Sequence, residues 1–312
     1  MTKSRVKRRG RPVNGILLLD KPQGITSNGA LQQVKRLYGA EKAGHTGSLD
    51  PIATGVLPIC FGEATKFSRY LLEADKRYLA TLQLGVSTTT GDSEGEITWT
   101  RPVARRTRED VEFVLSKYIG EIEQIPSMFS AIKQNGQPLY KLARQGIEVE
   151  RKARKIRIAS LQLMEFDENV LVLDIDCSKG TYVRTLAQDI GEDLGCGAHV
   201  AALRRLRAGP FEIDDSLTMA EVNGLKEQAQ TVMDQALLSV SAAVSDWPRS
   251  VLSELTASYL MQGQPVQVPN SPVSGWVSLF SEVEDDSNFI GVGEILDDGR
   301  IAPRRLVATQ KE

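Results

Sequence analysis

Residues 43–57 read Ala43-Gly44-His45-Thr46-Gly47-Ser48-Leu49-Asp50-Pro51-Ile52-Ala53-Thr54-Gly55-Val56-Leu57. The stretch holds three glycines, one of the chain's two histidines, and a single carboxylate set between Leu49 and Pro51. Glycine tolerates positive φ and close approach by another chain, whereas Pro51 fixes its own φ and biases Asp50 towards an extended backbone. The expectation is a loop presenting one acid. The same residues also allow Asp50 to cap a short helix with Pro51 at its first position, an arrangement that involves no chemistry. Other readings fit poorly. A hydrolase triad made of His45, Ser48 and Asp50 would put three neighbours where triads assemble across a fold. Neither the GxxxxGK[ST] phosphate loop nor GxGxxG occurs.

Composition sets the frame around this loop. At 312 residues the length favours two domains, and 41% hydrophobic with 25% charged residues is ordinary for a globular protein. Cys60, Cys177 and Cys196 form no CxxC pair, and only His45 and His199 accompany them, so neither a disulfide framework nor a metal site is expected. No cofactor is expected either. The basic start, from Lys3 to Arg11, is not followed by a signal-peptide core, and no run approaches membrane-spanning length, which predicts a cytoplasmic protein.

The net charge of −2 hides an asymmetry. Residues 1–77 carry 14 Lys and Arg against 6 Asp and Glu, residues 133–160 carry 8 against 2, and residues 211–312 carry 6 against 16. A charge run can be no more than a solvated face. Two separate basic segments, one of them containing the candidate acid, point to a polyanion, because phosphate contacts supply most non-specific nucleic-acid affinity.

Residues 1–13 read as a disordered basic arm and Gly15–Asp20 as a buried strand. Ser27 is placed as N-cap of a helix running to Tyr38 and ended by Gly39. Leu57–Phe61 reads as a strand and Gly62–Leu72 as helix. Lys76–Leu84 alternates, with Tyr78, Ala80, Leu82 and Leu84 on one face. Residues 85–106 suggest a loop and a hairpin, and Thr107 with Asp110 makes a capping box for a helix to Lys117. A loop at 126–138 leads into a basic helix from Leu139, with Phe129 and Tyr140 interleaved, a pattern able to clamp RNA by stacking and phosphate contacts. Arg154–Phe166 and Val170–Cys177 form an expected antiparallel pair, followed by a helix through Asp193 and a stretch from Ala198 to Leu206. Residues 216–244 look helical, Asp246-Trp247-Pro248 reads as a linker, and the remainder as a small all-β module in which Phe289–Leu296 pairs with Ile301–Val307.

Several separated motifs carry a resemblance. Gly44–Pro51 (GHTGSLDP) followed by Ala53–Pro58 (ATGVLP) resembles the catalytic signature of the TruB family of tRNA pseudouridine synthases. Lys21-Pro22-Gln23-Gly24, Lys76-Arg77-Tyr78 and Lys179-Gly180-Thr181-Tyr182-Val183-Arg184 resemble further motifs of that family, and the likeness runs over most of residues 14–210. It implies an α+β fold, with a pseudouridine-synthase-like catalytic domain (14–248) built on a central, mainly antiparallel sheet and a small C-terminal all-β PUA-like domain (249–312). The acidity of that last segment argues against strong electrostatic RNA binding by it.

The resemblance further implies isomerisation of uridine 55 in the T-loop of tRNA, with Asp50 as nucleophile and Arg184 as its partner. Tyr78 then stacks on the target base, Tyr182 contributes a ring to the pocket, Leu203 packs against the substrate, and His45 fills the space the uridine vacates. An insertion at about 124–152 grips the T-loop through Phe129, Lys133, Tyr140, Lys141 and Arg144, and Lys21 and Lys66 join them as expected RNA contacts. A monomer needing no protein partner and no membrane is expected. The rival class is an RNA chaperone or binding module whose pocket is incidental. A carboxylate suits the reaction because it can attack, leave again and needs no cofactor, and a neighbouring arginine keeps it charged in a dry pocket.

Overall fold

The computed structural model describes residues 10–130, 132–134, 136–281 and 288–308. In chain order the first elements are β1 (Gly15–Lys21), α1 (Ser27–Leu37), β2 (Ala43–His45), β3 (Thr54–Phe61), a 3-10 turn at Gly62–Lys66, and α2 (Ser68–Glu73). Then come β4 (Lys76–Leu84), β5 (Val86–Thr88), β6 (Ile97–Thr100), α3 (Arg108–Ser116), β7 (Gly120–Gln124), β8 (Lys133–Gln134), β9 (Gln137–Pro138) and α4 (Leu139–Ala143). They are followed by β10 (Arg154–Asp167), β11 (Val170–Cys177), α5 (Val183–Asp193) and β12 (Ala198–Ala208). The chain ends with β13 (Phe211–Glu212), β14 (Leu217–Thr218), α6 (Met219–Gln228), α7 (Gln230–Gln235), β15 (Arg249–Leu252), α8 (Glu254–Met261), β16 (Gly275–Ser281), β17 (Phe289–Ile295) and β18 (Ile301–Leu306).

These elements fall into two compact units, one made of the chain up to Leu49, Val56–Glu73 and Pro210 onward, the other of Asp50–Gly55 and Ala74–Gly209. In the second unit the strands run in the order β12-β4-β11-β10-β7, every neighbouring pair antiparallel. The alternation of β4 explains its place at the centre: Ala80, Leu82 and Leu84 are buried and meet Leu171, Leu173, Ile175 and Cys177 of β11. Helices α3 and α5 close that face with Val111, Val114, Leu115, Val183, Leu186 and Ile190. Thr107 and Asp110 form the expected capping box of α3, and β10 and β11 form the expected hairpin.

In the first unit β1 lies between β14 and β3, pairing in parallel with β14, and β2 pairs antiparallel with β3. Leu17, Leu19, Leu57, Ile59 and Phe61 pack with Leu31 and Val34 of α1 and with Val222 and Met233. The strands β15 to β18 form a separate four-stranded sheet, parallel at β15–β16 and otherwise antiparallel. This C-terminal part is not purely β: α8 lays Ala257 and Leu260 into its core.

Some boundaries differ from the sequence reading. The N-cap of α1 is Thr26, whose side chain accepts from the Gly29 amide, while Ser27 is the first helical residue. Ser27 is buried and does something else. Its Oγ accepts from the Leu49 amide at 2.6 Å and donates to the Leu49 carbonyl at 3.0 Å, fixing the residue before Asp50. Of the basic start, Arg11 is held by a bidentate pair with Asp234 and by the Tyr38 carbonyl. Residues 1–9, where the expected disordered arm falls, lie outside the described residues. The basic helix after the 126–138 loop is short, five residues of α4 behind the β8–β9 hairpin. No helix among the described residues is long and apolar enough to cross a membrane.

Ser27→Ala is expected to lower stability by about 1–3 kcal/mol, because it strands a buried amide and carbonyl at Leu49. Urea unfolding measures it, and an unchanged midpoint would show that the loop does not depend on this tie.

Candidate active site

Asp50 begins a tight turn. The Ala53 amide donates to the Asp50 carbonyl at 3.0 Å, which puts Pro51 at the second position of a turn and excludes the capped-helix alternative. The chain then enters β3, whose first residues Thr54 and Gly55 pair in parallel with Arg204 and Arg205 of β12. Gly55 has φ +105°, and a Cβ there would lie 2.2 Å from the Arg205 carbonyl oxygen. Only glycine fits. The threonine-glycine of the ATGVLP run is therefore what brings the Asp50 turn down onto β12.

Arg184 sits in the first turn of α5, where a helix dipole disfavours a cation. Its partners offset that. Nε lies 3.0 Å from Asp50 Oδ2 and Nη1 lies 3.3 Å from Asp92 Oδ2. Nη1 also donates to the Thr90 carbonyl and Nη2 to the Phe129 carbonyl, both at 3.0 Å. The Arg184 side chain is 8% exposed and that of Asp92 4%, against 41% for Asp50. One guanidinium thus joins two carboxylates, one buried and one substantially exposed. Asp92 is held in turn by the Glu94 amide at 3.1 Å and by the Thr90 hydroxyl, so the acid behind the arginine is fixed by its own loop.

Tyr78 lies on β4 between Arg205 of β12 and Ile175 of β11 in the register, half-buried against the core. Burial pushes its phenol up, an effect opposed by the Arg205 guanidinium, which also hydrogen-bonds the hydroxyl, and reinforced by Cys177 and the Asp50 carboxylate. Tyr182 is the N-cap of α5. Its amide donates to Gln124 Oε1 at 2.8 Å, and Gln124 Nε2 donates back to its carbonyl at 3.1 Å. Leu203, opposite Ala80, is half-buried on the same core.

The structure therefore brings Asp50, Arg184, Tyr78, Tyr182 and Leu203 into one unit, and His45, Lys21 and Lys66 belong to the other. His45 is the last residue of β2, half-buried and in register with Ile59. Lys21 requires correction as an RNA contact. It is fully buried, and its ammonium donates to the Pro22 and Ile25 carbonyls at 2.8 and 2.7 Å, so it braces the turn before α1. Lys66 is likewise engaged, by Glu63 at 2.6 Å and the Leu306 carbonyl at 3.3 Å. In the insertion, Lys133, Lys141 and Arg144 are exposed, Arg144 lying over the Tyr140 ring, while Phe129 is half-buried with its carbonyl on Arg184. A cavity of about 350 Å³ beside these residues is lined by Thr89, Ser127, Phe129, Arg151 and Gln188.

Asp92, Gln124 and Arg205 were not singled out from sequence. Each is a polar residue buried by a partner distant in the chain, which no local pattern announces.

The chain is similar in fold to a chain in the crystal structure of a Cbf5-Nop10-Gar1 complex, with a TM-score of 0.74 and 22% identity over 98% of this chain and 91% of that one. It is also similar to a chain in the structure of an H/ACA RNP bound to a substrate RNA containing 2'-deoxyuridine, with a TM-score of 0.73 and 21% identity over 95% and 86%. The fold is that of the pseudouridine synthases, carrying a PUA-like C-terminal β domain.

The family follows from sequence. The family model for the N-terminal domain of TruB family pseudouridylate synthase matches residues 35–183, that for the tRNA pseudouridylate synthase B C-terminal domain residues 184–245, and that for the C-terminal part of pseudouridine synthase II TruB residues 248–307. Proteins named tRNA pseudouridine synthase B match over nearly their whole length. That of Ectopseudomonas mendocina (strain ymp) is 56% identical over 98% of this chain and 99% of its own. That of Coxiella burnetii (strain RSA 493 / Nine Mile phase I) is 56% identical over 95% and 96%. The chain belongs to the TruB family of pseudouridylate synthases.

One buried cation near the site gives a pH prediction. Burial pushes the Lys76 ammonium down to about 8, and the neighbouring Arg205 charge adds to the effect. A depressed lysine costs stability while it is charged in both states, below about pH 8, and the cost fades as pH rises towards the unfolded value near 10.5. Lys76→Met is therefore expected to gain most at pH 7, its advantage over wild type shrinking by on the order of 3 kcal/mol by pH 10.5. Parallel urea titrations check it; a difference that does not change with pH would contradict it.

Proposed function

We propose that the enzyme isomerises uridine 55 in the T-loop of tRNA to pseudouridine, with Asp50 as nucleophile on a flipped-out uridine. The observation that carries this reading is the Arg184–Asp50 pair, 3.0 Å from Nε to Oδ2, on a carboxylate that stays partly open. The relatives' name supplies tRNA as the substrate class.

The reaction breaks the N1–C1' glycosidic bond, turns the uracil in place, and forms a C5–C1' bond, after which the hydrogen on C5 leaves as a proton and N1 takes one up. Asp50 assists by attack on the ribose carbon or on the base, and in either case departs again. Arg184 keeps the carboxylate ionised and in register without being consumed. Extruding the uridine costs about a few kcal/mol, and each aromatic stacking contact returns roughly 1–3. Tyr78 supplies that stacking, His45 fills the vacated space, and Tyr182 and Leu203 wall the pocket. The exposed Lys133, Lys141 and Arg144, with Phe129 and Tyr140, clamp the T-arm by phosphate contacts and stacking. The protein works as a monomer in the cytoplasm.

Mapping pseudouridine in an unmodified tRNA transcript tests the whole reading. Wild type is expected to modify position 55, and Asp50→Asn to bind the transcript with near wild-type affinity and modify nothing. Turnover by Asp50→Asn would refute the nucleophile, and tRNA binding without release of tritium from C5-labelled uridine would favour a binding module.

A further inference from the structure

The largest fully buried side chain among the described residues is neither aromatic nor aliphatic: it is Arg205, 1% exposed. Burying a guanidinium is expensive unless its hydrogen bonds are used. Its position shows one use. In the β12–β4 ladder Arg205 stands directly opposite Tyr78, and its guanidinium hydrogen-bonds the Tyr78 hydroxyl. The ladder slips at this point: Arg205 pairs with Tyr78 and Arg207 with Arg77, so one extra β12 residue is accommodated between them. Such a bulge re-aims the side chain beside it. The backbone of Arg205 is fixed from the other edge by Gly55, the glycine that brings in the Asp50 turn. Arg205 is therefore tied to both: its backbone pairs with the strand that follows the Asp50 turn, and its guanidinium bonds the Tyr78 hydroxyl.

The charged and titratable groups around the hydroxyl are Arg205 from β12, Cys177 from β11 and the Asp50 carboxylate from its turn, with Lys76 two residues away on the same face of β4 and close to Arg205. A phenol ring that stacks on a base must resist tilting. The strand fixes Cα and the core fixes one edge, but only a bond to Oη prevents the ring from swinging at its far end.

We propose that Arg205 is a positioning residue for the isomerisation, holding the Tyr78 hydroxyl so that the ring lies square to the uracil while the base turns and C5 meets C1'. It need not touch the substrate. The proposal rests on the site reading given above, and its test separates the two.

Arg205→Lys keeps the charge and most of the volume but offers one mobile donor where the guanidinium offered a planar fork. At saturating tRNA its single-turnover rate is expected to fall at least about tenfold, with tRNA affinity within about twofold of wild type. In a Tyr78→Phe background, which has no hydroxyl to hold, the same substitution is expected to change the rate by less than about twofold. Equal losses in both backgrounds would overturn the proposal and make Arg205 a general structural residue. Should Tyr78→Phe show no turnover at all, the coupling is read from the Cζ resonance of Tyr78 in tyrosine-labelled protein. Arg205→Lys is then expected to shift and broaden it, and an unmoved resonance overturns the proposal. Wild-type protein that forms no pseudouridine would instead sink the site reading itself.

Discussion

One guanidinium shared between two carboxylates is the interaction on which this site depends. Arg184 spends its donors on Asp50, Asp92 and two backbone carbonyls, and the unequal burial of the two acids decides what each can do. Asp92, almost sealed, anchors the arginine; Asp50 keeps much of its side chain open. Removing one partner from such a buried group costs about 3–5 kcal/mol, so the arrangement is stiff.

The rest of the second unit is built to deliver these groups to one place. Antiparallel pairing of β4 with β11 and β12 fixes Tyr78 and Arg205 side by side, and the apolar stripe of α5 presses the helix onto that face so that its first turn carries Arg184. Gly55 admits the strand that follows the Asp50 turn, and Gln124 clasps the backbone of Tyr182 where α5 begins. In the first unit Ser27 pins Leu49, the residue before the acid. The candidate site and the core thus draw on the same strands and the same helix.

Much of this was legible in the sequence where the physics is local. The period-two pattern of Lys76–Leu84, the Thr107–Asp110 box and the pairing of Phe289–Leu296 with Ile301–Val307 each name their structure, since neighbours in sequence are the interacting partners. Asp50, Arg184 and Tyr78 enter the candidate site only through motif resemblance. What escaped is long-range and polar. Nothing near Asp92 in sequence announces an arginine at 184, and nothing near Lys21 says that its ammonium will be folded inward onto Pro22 and Ile25. Ser27 was read as a cap because serine before a helix usually is one, but Thr26 took that role and freed its neighbour. A basic residue in a motif suggests a phosphate contact at Lys21, but lysine also serves as an internal brace when carbonyls converge on it.

The central claim is that the arginine acts by geometry as well as by charge, and Arg184→Lys asks this directly. Lysine keeps the positive charge but cannot reach four acceptors in one plane. In single-turnover formation of pseudouridine in a tRNA transcript, the rate is predicted to fall at least about a hundredfold with tRNA affinity held within about twofold. A rate within about twofold of wild type would show that a nearby positive charge suffices, and that the shared guanidinium is not what the site rests on.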